Sequence, residues 1–212
     1  MSSARPLPAR TFGRPPRQRV GLLGGSFNPA HEGHRHIAEL ALKRLALDEI
    51  WWLVSPQNPL KPDREMAPLA ARRDSARRHA RHPRMRVAAV ESALETRYTA
   101  DTLAALRRRF PRVRFVWLMG ADNLAQIARW ERWSLIFHTM PIAVFARLPY
   151  SIKALASKAA HRFSRTRRMS RYATRLACDD PPAWVFLHTR LHPASASAIR
   201  RARTVGRVRR TT

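Results

Sequence analysis

The chain has 212 residues, of which 45% are hydrophobic and 26% are charged, a composition typical of one globular domain that can bury a core. Charged residues interrupt every hydrophobic stretch before it reaches the roughly 18 residues of a membrane span, and the single cysteine, Cys178, excludes a disulfide framework and a cysteine-based zinc site. The 41 Lys and Arg residues against 14 Asp and Glu give a net charge of +27, which favours a polyanionic ligand such as a nucleotide or nucleic acid, although an arginine and alanine bias of the genome would also produce it.

The chain begins with a basic segment and continues with alternating strand and helix patterns. Residues 1–18 contain Arg, Pro and Ser without an acidic residue, which predicts a disordered tail, with an organelle transit peptide as the alternative. Short apolar runs then predict these buried strands: Val20–Gly24, Ile50–Val54, Met85–Val90, Arg114–Met119, Ile142–Phe145 and Trp184–Leu187. Residue patterns between them predict these helices: His34–Leu47, Leu69–Arg81, Ala100–Arg109, a short stretch with Trp130 and Trp133, and Ser197–Arg203.

The alternation of strands and helices is typical of βαβ units. We therefore predict an α/β fold, a Rossmann-like doubly wound, mostly parallel sheet with helices on both faces. The predicted domain spans residues 19–205, and residues 206–212 form a second basic tail. Residues 151–175 depart from the alternation because they are basic and nearly free of acidic residues, and we predict a helix followed by an exposed, mobile insertion there.

Two pairs of apolar residues give predictions about the core. Trp51 and Trp52 are adjacent in a predicted strand, so their side chains should point to opposite faces of the sheet and be buried by two helix layers. Trp133 and Leu135 lie in the short helical stretch and are expected to be core residues.

The densest chemical signal lies between the first predicted strand and the first predicted helix: Gly24-Gly25-Ser26-Phe27-Asn28-Pro29-Ala30-His31-Glu32-Gly33-His34. Ligands of open α/β sheets bind at this edge, where parallel strands end. Glycines let the backbone come close to a ligand, the helix N-terminus attracts phosphate, and the two histidines can face the same anion. The string is one residue short of the zinc-protease pattern HExxH, and it fits neither GxGxxG nor a Walker loop.

This string resembles the GGSFNPxHxGH signature of the nucleotidylyltransferase superfamily, in the version found in bacterial nicotinate-nucleotide adenylyltransferases. The resemblance implies adenylyl transfer from ATP to nicotinate mononucleotide, giving pyrophosphate and deamido-NAD, with Mg²⁺ bridging the phosphates. The 5′-phosphate of the mononucleotide is already an anion near neutral pH, so the reaction needs positioning and charge neutralisation and no general base. We therefore expect direct displacement without a covalent intermediate.

Further segments resemble the same family in order along the chain. Ser55-Pro56-Gln57-Asn58-Pro59-Leu60-Lys61 resembles its phosphate-proximal loop, and Arg97-Tyr98-Thr99-Ala100-Asp101-Thr102 resembles the (S/T)YTxDT segment, whose backbone amides hold the nicotinate carboxylate. Gly120-Ala121-Asp122 matches GxD, and Trp130 falls where the family has an aromatic that stacks on the pyridine ring. Ala194-Ser195-Ala196-Ser197-Ala198-Ile199-Arg200 resembles (I)SSTxIR but departs from it at Ala194, Ala196 and Ser197.

The resemblance implies three overlapping sets of site residues. The catalytic set is His31, His34, Lys61 and Arg200. The ATP-binding set is Gly24, Gly25, Ser26, Phe27, His31, His34, Asp122, Ser197 and Arg200. The set that binds nicotinate mononucleotide is Ser26, Asn58, Lys61, Tyr98, Thr99, Thr102 and Trp130. No protein side chain is expected to ligate a metal. Two of these residues have alternative interpretations, Asp122 as a helix N-cap and Trp130 as a core residue.

Other functions remain open at this stage. A related enzyme could prefer nicotinamide mononucleotide, or another phosphate acceptor such as phosphopantetheine. A function of a different class, nucleic-acid binding, would draw on the net charge and on the cluster Arg165–Arg175, and it would weaken steeply with salt. It would leave the two histidines and Arg200 unexplained, so we expect nucleic acid to bind only non-specifically. The single cysteine suits a reducing cytoplasm, and no membrane association is expected.

Overall fold

The structure is a computed structural model that describes residues 18–55, 66–88, 94, 96–147, 149–189, 196 and 199–200. Apart from Gln18, both predicted tails lie outside the described residues, so those predictions stay open. Within the part of the chain that the structure describes, no helix is long and apolar enough to span a bilayer.

The centre of the fold is a sheet in which every pair of neighbouring strands is parallel. Its order is β3-β2-β1-β4-β5-β7-β6. The strands are β1 (Arg19–Gly25), β2 (Glu49–Val54), β3 (Met85–Ala88), β4 (Arg114–Gly120), β5 (Ile142–Phe145), β6 (Arg167–Arg168) and β7 (Trp184–Leu187). The predicted strands are all present, and β6 is an edge strand that the sequence did not indicate. The Rossmann-like doubly wound fold is confirmed.

Helices connect the strands and cover both faces of the sheet. They are α1 (Glu32–Arg44), α2 (Leu69–His79), α3 (Thr99–Arg109), α4 (Ala121–Gln126), α5 (Trp133–Thr139), α6 (Ser151–Leu155) and α7 (Lys158–Arg162). Tighter 3₁₀ turns are formed by Ile127–Arg129, Ser164–Thr166 and Ser170–Cys178. Of the helix predicted at Ser197–Arg203, the structure describes Ile199 and Arg200, which have helical backbone.

The first helix starts and ends earlier than the hydrophobic spacing predicts. It starts at Glu32 because the side chain of His31 caps it. It ends at Arg44 because Ala46 has φ of 49°, a left-handed conformation that stops an α-helix. Leu45 and Leu47 are nevertheless buried, as their positions in the apolar pattern suggest. The pattern therefore predicted burial correctly but extended the helix too far.

The core is divided by the sheet into two layers. Trp51 packs on the side covered by α3, α4 and α5, and Trp52 packs on the side covered by α1 and α2. Their predicted burial on opposite faces is confirmed. Trp133 packs against the first of these layers. The prediction for Leu135 is wrong, since 47% of this residue is exposed.

Part of residues 151–175 packs against the core, while most of the residues after α7 are exposed, as predicted for the insertion. The two short helices α6 and α7 bury Ala154, Ala159 and Ala160, and Phe163 stacks on Phe137 with 4.1 Å between the ring centroids. Residue Ala173 is buried in the opposite layer. Most of the buried side chains here are alanines, set among exposed basic residues, and this composition hides the apolar periodicity of the segment.

Candidate active site

The site residues meet where the winding of the sheet reverses. From β1 the chain winds outward to β2 and β3, and it then returns to β4 on the other side of β1. The connections that follow β1 and β4 therefore separate above the sheet and leave a crevice at its carboxyl edge, which is where doubly wound folds bind ligands. The segment Ser26–His34 follows β1, Asp122 follows β4, and Arg147 follows β5.

His31 and His34 form the N-terminus of α1 together. The backbone N–H of Gly33 donates to Nδ1 of His31 at 3.1 Å, and the backbone N–H of His31 donates to Nδ1 of His34 at 3.2 Å. This reciprocal arrangement is a capping box built from two imidazoles. It brings the ring centroids to 3.8 Å. His31 is buried, and His34 stays partly exposed.

The capping bonds determine where the neutral rings carry their protons. Each Nδ1 accepts a hydrogen bond from a backbone N–H, so in each ring the proton resides on Nε2. Burial lowers the pKa of His34 well below its usual value, and the positive charges of His31, Arg147 and His79 lower it further. In the protein without ligand His34 is therefore a neutral ring near neutral pH, and its Nε2–H is the group that it can donate to an anion.

We expect the stability of the protein to depend on pH through His34. The unfolded chain takes up a proton near pH 6.5, whereas the folded chain resists protonation until the pH is lower. Protonation therefore favours unfolding, and the free energy of unfolding should fall as the pH decreases below 6.5, by at most about 1.4 kcal/mol per pH unit for one proton. Urea unfolding on either side of this pH should show a weaker dependence for His34→Gln, and an identical dependence in the two proteins would contradict this interpretation.

The two glycines at the end of β1 differ in their surroundings. A Cβ atom on Gly24 would lie 2.1 Å from Cη2 of Trp117, whereas a Cβ atom on Gly25 would make an ordinary contact of 3.4 Å with Phe27. Gly24 is therefore required by packing inside the sheet, in addition to any approach of its backbone to a ligand. Phe27 is 2% exposed and contacts the rings of both Trp52 and His34. Its side chain packs against His34, so any contact of Phe27 with ATP is made by its backbone.

The C-terminal motif reaches the first motif in space. Nη1 of Arg200 donates to the carbonyl oxygen of Asn28 at 2.9 Å, across 172 positions of sequence. This contact places one predicted cationic residue beside the segment that carries the two histidines. Three other predicted site residues, Asn58, Lys61 and Ser197, lie outside the described residues.

Asp122 does not cap the helix, which corrects one of its two interpretations. The N-cap of α4 is Gly120, and Asp122 lies within the first turn. Its Oδ2 accepts a hydrogen bond from Nη1 of Arg147 at 2.9 Å, while its Oδ1 is buried without a partner among the described residues. Sequence reasoning missed Arg147. Its position two residues after the end of β5 at Phe145, on the carboxyl edge of the sheet, was the available signal.

The start of α3 carries the backbone amides that the family resemblance assigns to the nicotinate carboxylate. Tyr98 is the N-cap, and the N–H of Thr99, at the first helical position, has no acceptor within the helix, whereas the N–H of Asp101 donates to the Tyr98 carbonyl at 3.1 Å. Thr102 is 2% exposed, and its hydroxyl pairs with Thr96 Oγ1 at 2.8 Å and donates to the carbonyl of Tyr98 at 3.2 Å. Thr102 therefore shapes this turn, and any effect on a ligand is indirect. Trp130 is partly buried against the core, with the rest of its side chain exposed.

The donors at this site are mainly imidazole and guanidinium groups. Among residues within the described ranges, no three His, Cys, Asp or Glu side chains are grouped closely enough to hold a metal ion. The arrangement can bind anions through His31, His34, Arg147 and Arg200. Such a set of donors is suited to an extended phosphate chain.

Comparisons with known proteins agree with this geometry. The sequence matches the model of the family described as cytidylyltransferase-like over residues 22–202. A Cereibacter sphaeroides protein named probable nicotinate-nucleotide adenylyltransferase is 56% identical over 181 residues, which cover 85% of this chain and 96% of that protein. A Brucella abortus protein of the same name is 50% identical over 182 residues, covering 86% of this chain and 94% of that protein.

A solved structure has the same fold at much lower sequence identity. It is the Plasmodium falciparum nicotinic acid mononucleotide adenylyltransferase complexed with NaAD. The TM-score is 0.65 at 14% identity, with 87% of this chain and 83% of that chain covered. At this identity the likeness supports the fold alone.

Proposed function

The chain belongs to the nicotinate-nucleotide adenylyltransferase family, and from this premise we propose that it transfers the adenylyl group of ATP to nicotinate mononucleotide, giving deamido-NAD and pyrophosphate in NAD biosynthesis. The chain is a nucleotidyltransferase with a Rossmann-like fold. The bacterial relatives that carry this name are 50% and 56% identical to it over nearly their whole length.

The observation that carries the proposal is the pair of imidazoles at the N-terminus of α1. Both rings have Nδ1 occupied by a backbone donor, so in each neutral ring Nε2 is the nitrogen that carries a proton to donate, and His34 stays partly exposed. Two hydrogen-bond donors at a helix N-terminus suit an anion that carries several oxygens. Because the pKa of His34 is lowered mainly by burial, the ring donates without holding a permanent charge that water would have to solvate.

The chemistry of the proposed reaction is a displacement at phosphorus. An oxygen of the 5′-phosphate of nicotinate mononucleotide attacks the α-phosphorus of ATP, and the bond from that phosphorus to the oxygen bridging to the β-phosphate breaks. The electron pair leaves with pyrophosphate, and no proton needs to be removed because the attacking group is already an anion near neutral pH. The protein then has to align the two phosphates and offset their charge.

We assign stabilisation of the phosphate charge to His31 and His34 as hydrogen-bond donors and to Lys61 and Arg200 as cations. The contact between Arg200 and Asn28 supports this assignment, because it brings the C-terminal cation to the same segment as the histidines.

Two further groups of residues complete the proposed binding sites. For ATP they are Gly24, Gly25, Ser26, the backbone of Phe27, Asp122 and Ser197. The position of Asp122 directly after β4, at the carboxyl edge of the sheet, supports a contact with a ribose hydroxyl. For nicotinate mononucleotide they are Ser26, Asn58, Lys61, the amides of Tyr98 and Thr99, and the ring of Trp130, with Thr102 acting through the turn.

Mg²⁺ fits this site as a companion of ATP. Imidazole and guanidinium groups are poor ligands for Mg²⁺, which prefers oxygen atoms, so the triphosphate oxygens would hold the ion. When bound there, it neutralises part of the negative charge on the phosphates. The protein side chains then bind the oxygens that remain accessible.

The test of the proposed function is pyrophosphate release with ATP and Mg²⁺. Nicotinate mononucleotide, nicotinamide mononucleotide and phosphopantetheine are supplied in separate reactions, and the adenylylated product is identified by mass spectrometry. We expect release with nicotinate mononucleotide at the highest kcat/KM and formation of deamido-NAD. Faster turnover of another acceptor would overturn the assigned substrate, and no release with any acceptor would overturn the reaction itself.

A second measurement tests direct displacement. When the mononucleotide is withheld, no adenylyl group should remain attached to the protein after incubation with ATP. A covalent adenylyl adduct, on Ser26 or Cys178 for example, would contradict the mechanism.

We further propose that the reaction takes place in the cytoplasm, with ATP and nicotinate mononucleotide as the specific partners and nucleic acid bound only non-specifically through the basic surface.

A further inference from the structure

Helix α2 buries polar side chains where an amphipathic helix would bury apolar ones. The residues of α2 that are buried are Arg72, Ser75 and Ala76, with Arg72 2% exposed and Ser75 7% exposed. Burying a guanidinium is costly unless its N–H groups find acceptors. The sequence pattern predicts a polar helix here and indicates no functional role for it.

Arg72 uses its guanidinium to join three backbone segments. Its Nη1 donates to the carbonyl oxygens of Ser26 at 2.8 Å and Ser55 at 2.6 Å. Its Nε donates to the carbonyl oxygen of Ala67 at 2.8 Å. Ser26 follows β1 and Ser55 follows β2, so a single nitrogen links the connections that leave two neighbouring strands at the carboxyl edge of the sheet.

Neighbouring contacts hold the same segment against α2. The backbone N–H of Ala30 donates to the hydroxyl of Ser75 at 3.2 Å, one residue before His31. The backbone N–H of Ala67 donates to Oδ1 of Asn28 at 3.3 Å. Residues 26–31 are therefore fixed from the α2 side at Ser26, Asn28 and Ala30.

The bond to Ser26 fixes the orientation of a peptide unit inside the first motif. The peptide between Ser26 and Phe27 is trans, so its C=O and N–H point in opposite directions. Because Arg72 holds the carbonyl oxygen on the α2 side, the N–H of Phe27 points away from α2. Phe27 has φ of 45°, a left-handed conformation that is strained for a residue with a side chain and persists only when its surroundings enforce it.

We propose that Arg72 is a positioning residue for adenylyl transfer, which locks the Ser26–Phe27 peptide and so keeps the Ser26 carbonyl oxygen away from the anionic substrates. This inference rests on the proposed function of the same site. Arg72 does not contact substrate in this scheme. It acts through the backbone of residues 26–31, which carries His31.

The test compares Arg72→Ala, Arg72→Gln and Arg72→Lys with Arg78→Gln, a matched control for an exposed arginine of the same helix. Each protein is measured for kcat and KM in the pyrophosphate assay and for thermal unfolding. We expect Arg72→Gln to lower kcat/KM by about 10²-fold at temperatures where it is fully folded, as displacement of reacting groups by an ångström does. Arg72→Lys should lose less, since an ammonium group retains some of the three acceptors, and Arg78→Gln should stay within twofold of wild type.

Chemical rescue separates positioning from a purely structural role. Millimolar methylguanidinium should raise the kcat/KM of Arg72→Ala at least tenfold. Urea at the same concentration should leave it unchanged. Rescue is measured at a temperature where Arg72→Ala is fully folded, so that a gain of activity does not come from added stability. Wild-type activity per folded molecule in Arg72→Gln or Arg72→Lys, or the absence of rescue in folded Arg72→Ala, would overturn the proposal. An inactive wild-type enzyme would instead overturn the proposed function.

If Arg72→Ala and Arg72→Gln do not fold, Arg72→Lys decides the question. A folded Arg72→Lys with reduced kcat/KM supports positioning. A folded Arg72→Lys with full activity shows that Arg72 acts on stability alone and overturns the proposal.

Discussion

His34→Ala should lower kcat for adenylyl transfer by about 10²- to 10³-fold, the usual cost of removing one well-placed donor to developing charge. The substitution deletes an Nε2–H group that the capping box holds in a fixed tautomer. It also removes an acceptor of the His31 N–H, so the neighbouring ring loses part of its support. The measurement is steady-state pyrophosphate release at saturating ATP and nicotinate mononucleotide.

Two other variants serve as references for this prediction. His161→Ala removes an exposed imidazole from α7, outside the site, and should leave kcat unchanged. His34→Gln keeps both an acceptor and an N–H donor at this position, so it should be more active than His34→Ala. Equal activities for wild type and folded His34→Ala would show that the Nε2–H group takes no part in the reaction.

Gly24→Ala should destabilise the protein by about 3 kcal/mol or prevent folding, since overpacking a rigid core typically costs 1–3 kcal/mol and occasionally more. The new Cβ atom would lie 2.1 Å from Cη2 of Trp117. Trp117 is 4% exposed, so its ring has little room to move. The backbone cannot retreat either, because β1 is hydrogen-bonded to β2 on one side and to β4 on the other. Urea unfolding followed by circular dichroism measures the loss.

The specificity of this clash can be measured with neighbouring variants. Gly25→Ala should cost much less stability, because its Cβ atom would make an ordinary contact of 3.4 Å with Phe27. A double-mutant cycle with Trp117→Leu should show a smaller cost of Gly24→Ala once the indole is absent. Additive effects in that cycle would mean that Trp117 is not the obstructing group.

Local patterns predicted the framework of the fold well. Buried parallel strands read as continuous apolar runs, so β5 and β7 were predicted with the observed boundaries, and the burial of Trp51 and Trp52 on opposite faces followed from strand geometry. The two-residue strand β6 could not be predicted, because its residues, Arg167 and Arg168, are exposed and carry no apolar signal.

The candidate site was likewise predicted only in part from the sequence. The glycines and histidines of the first motif are contiguous, so their association could be seen in the sequence. The contact of Arg200 with Asn28 was implied only by the family resemblance, and the pairing of Arg147 with Asp122 was missed because it joins connections from two different strands. Arg72 was missed for another reason. Arginine side chains are mostly exposed in proteins, and only the packing of α2 against the motif shows that this one is buried.

In each histidine ring Nδ1 caps helix α1 and Nε2 carries the proton. This arrangement limits the proton transfers that the two rings can perform. A proton relay through imidazole requires one ring nitrogen to receive a proton while the other passes its own to an acceptor. In His31 and His34 the inner nitrogen faces a backbone N–H, which has no free electron pair to take a proton. The rings can therefore hold and donate, but they cannot conduct protons from the crevice into the protein. These two histidines therefore suit a reaction whose attacking phosphate arrives already ionised.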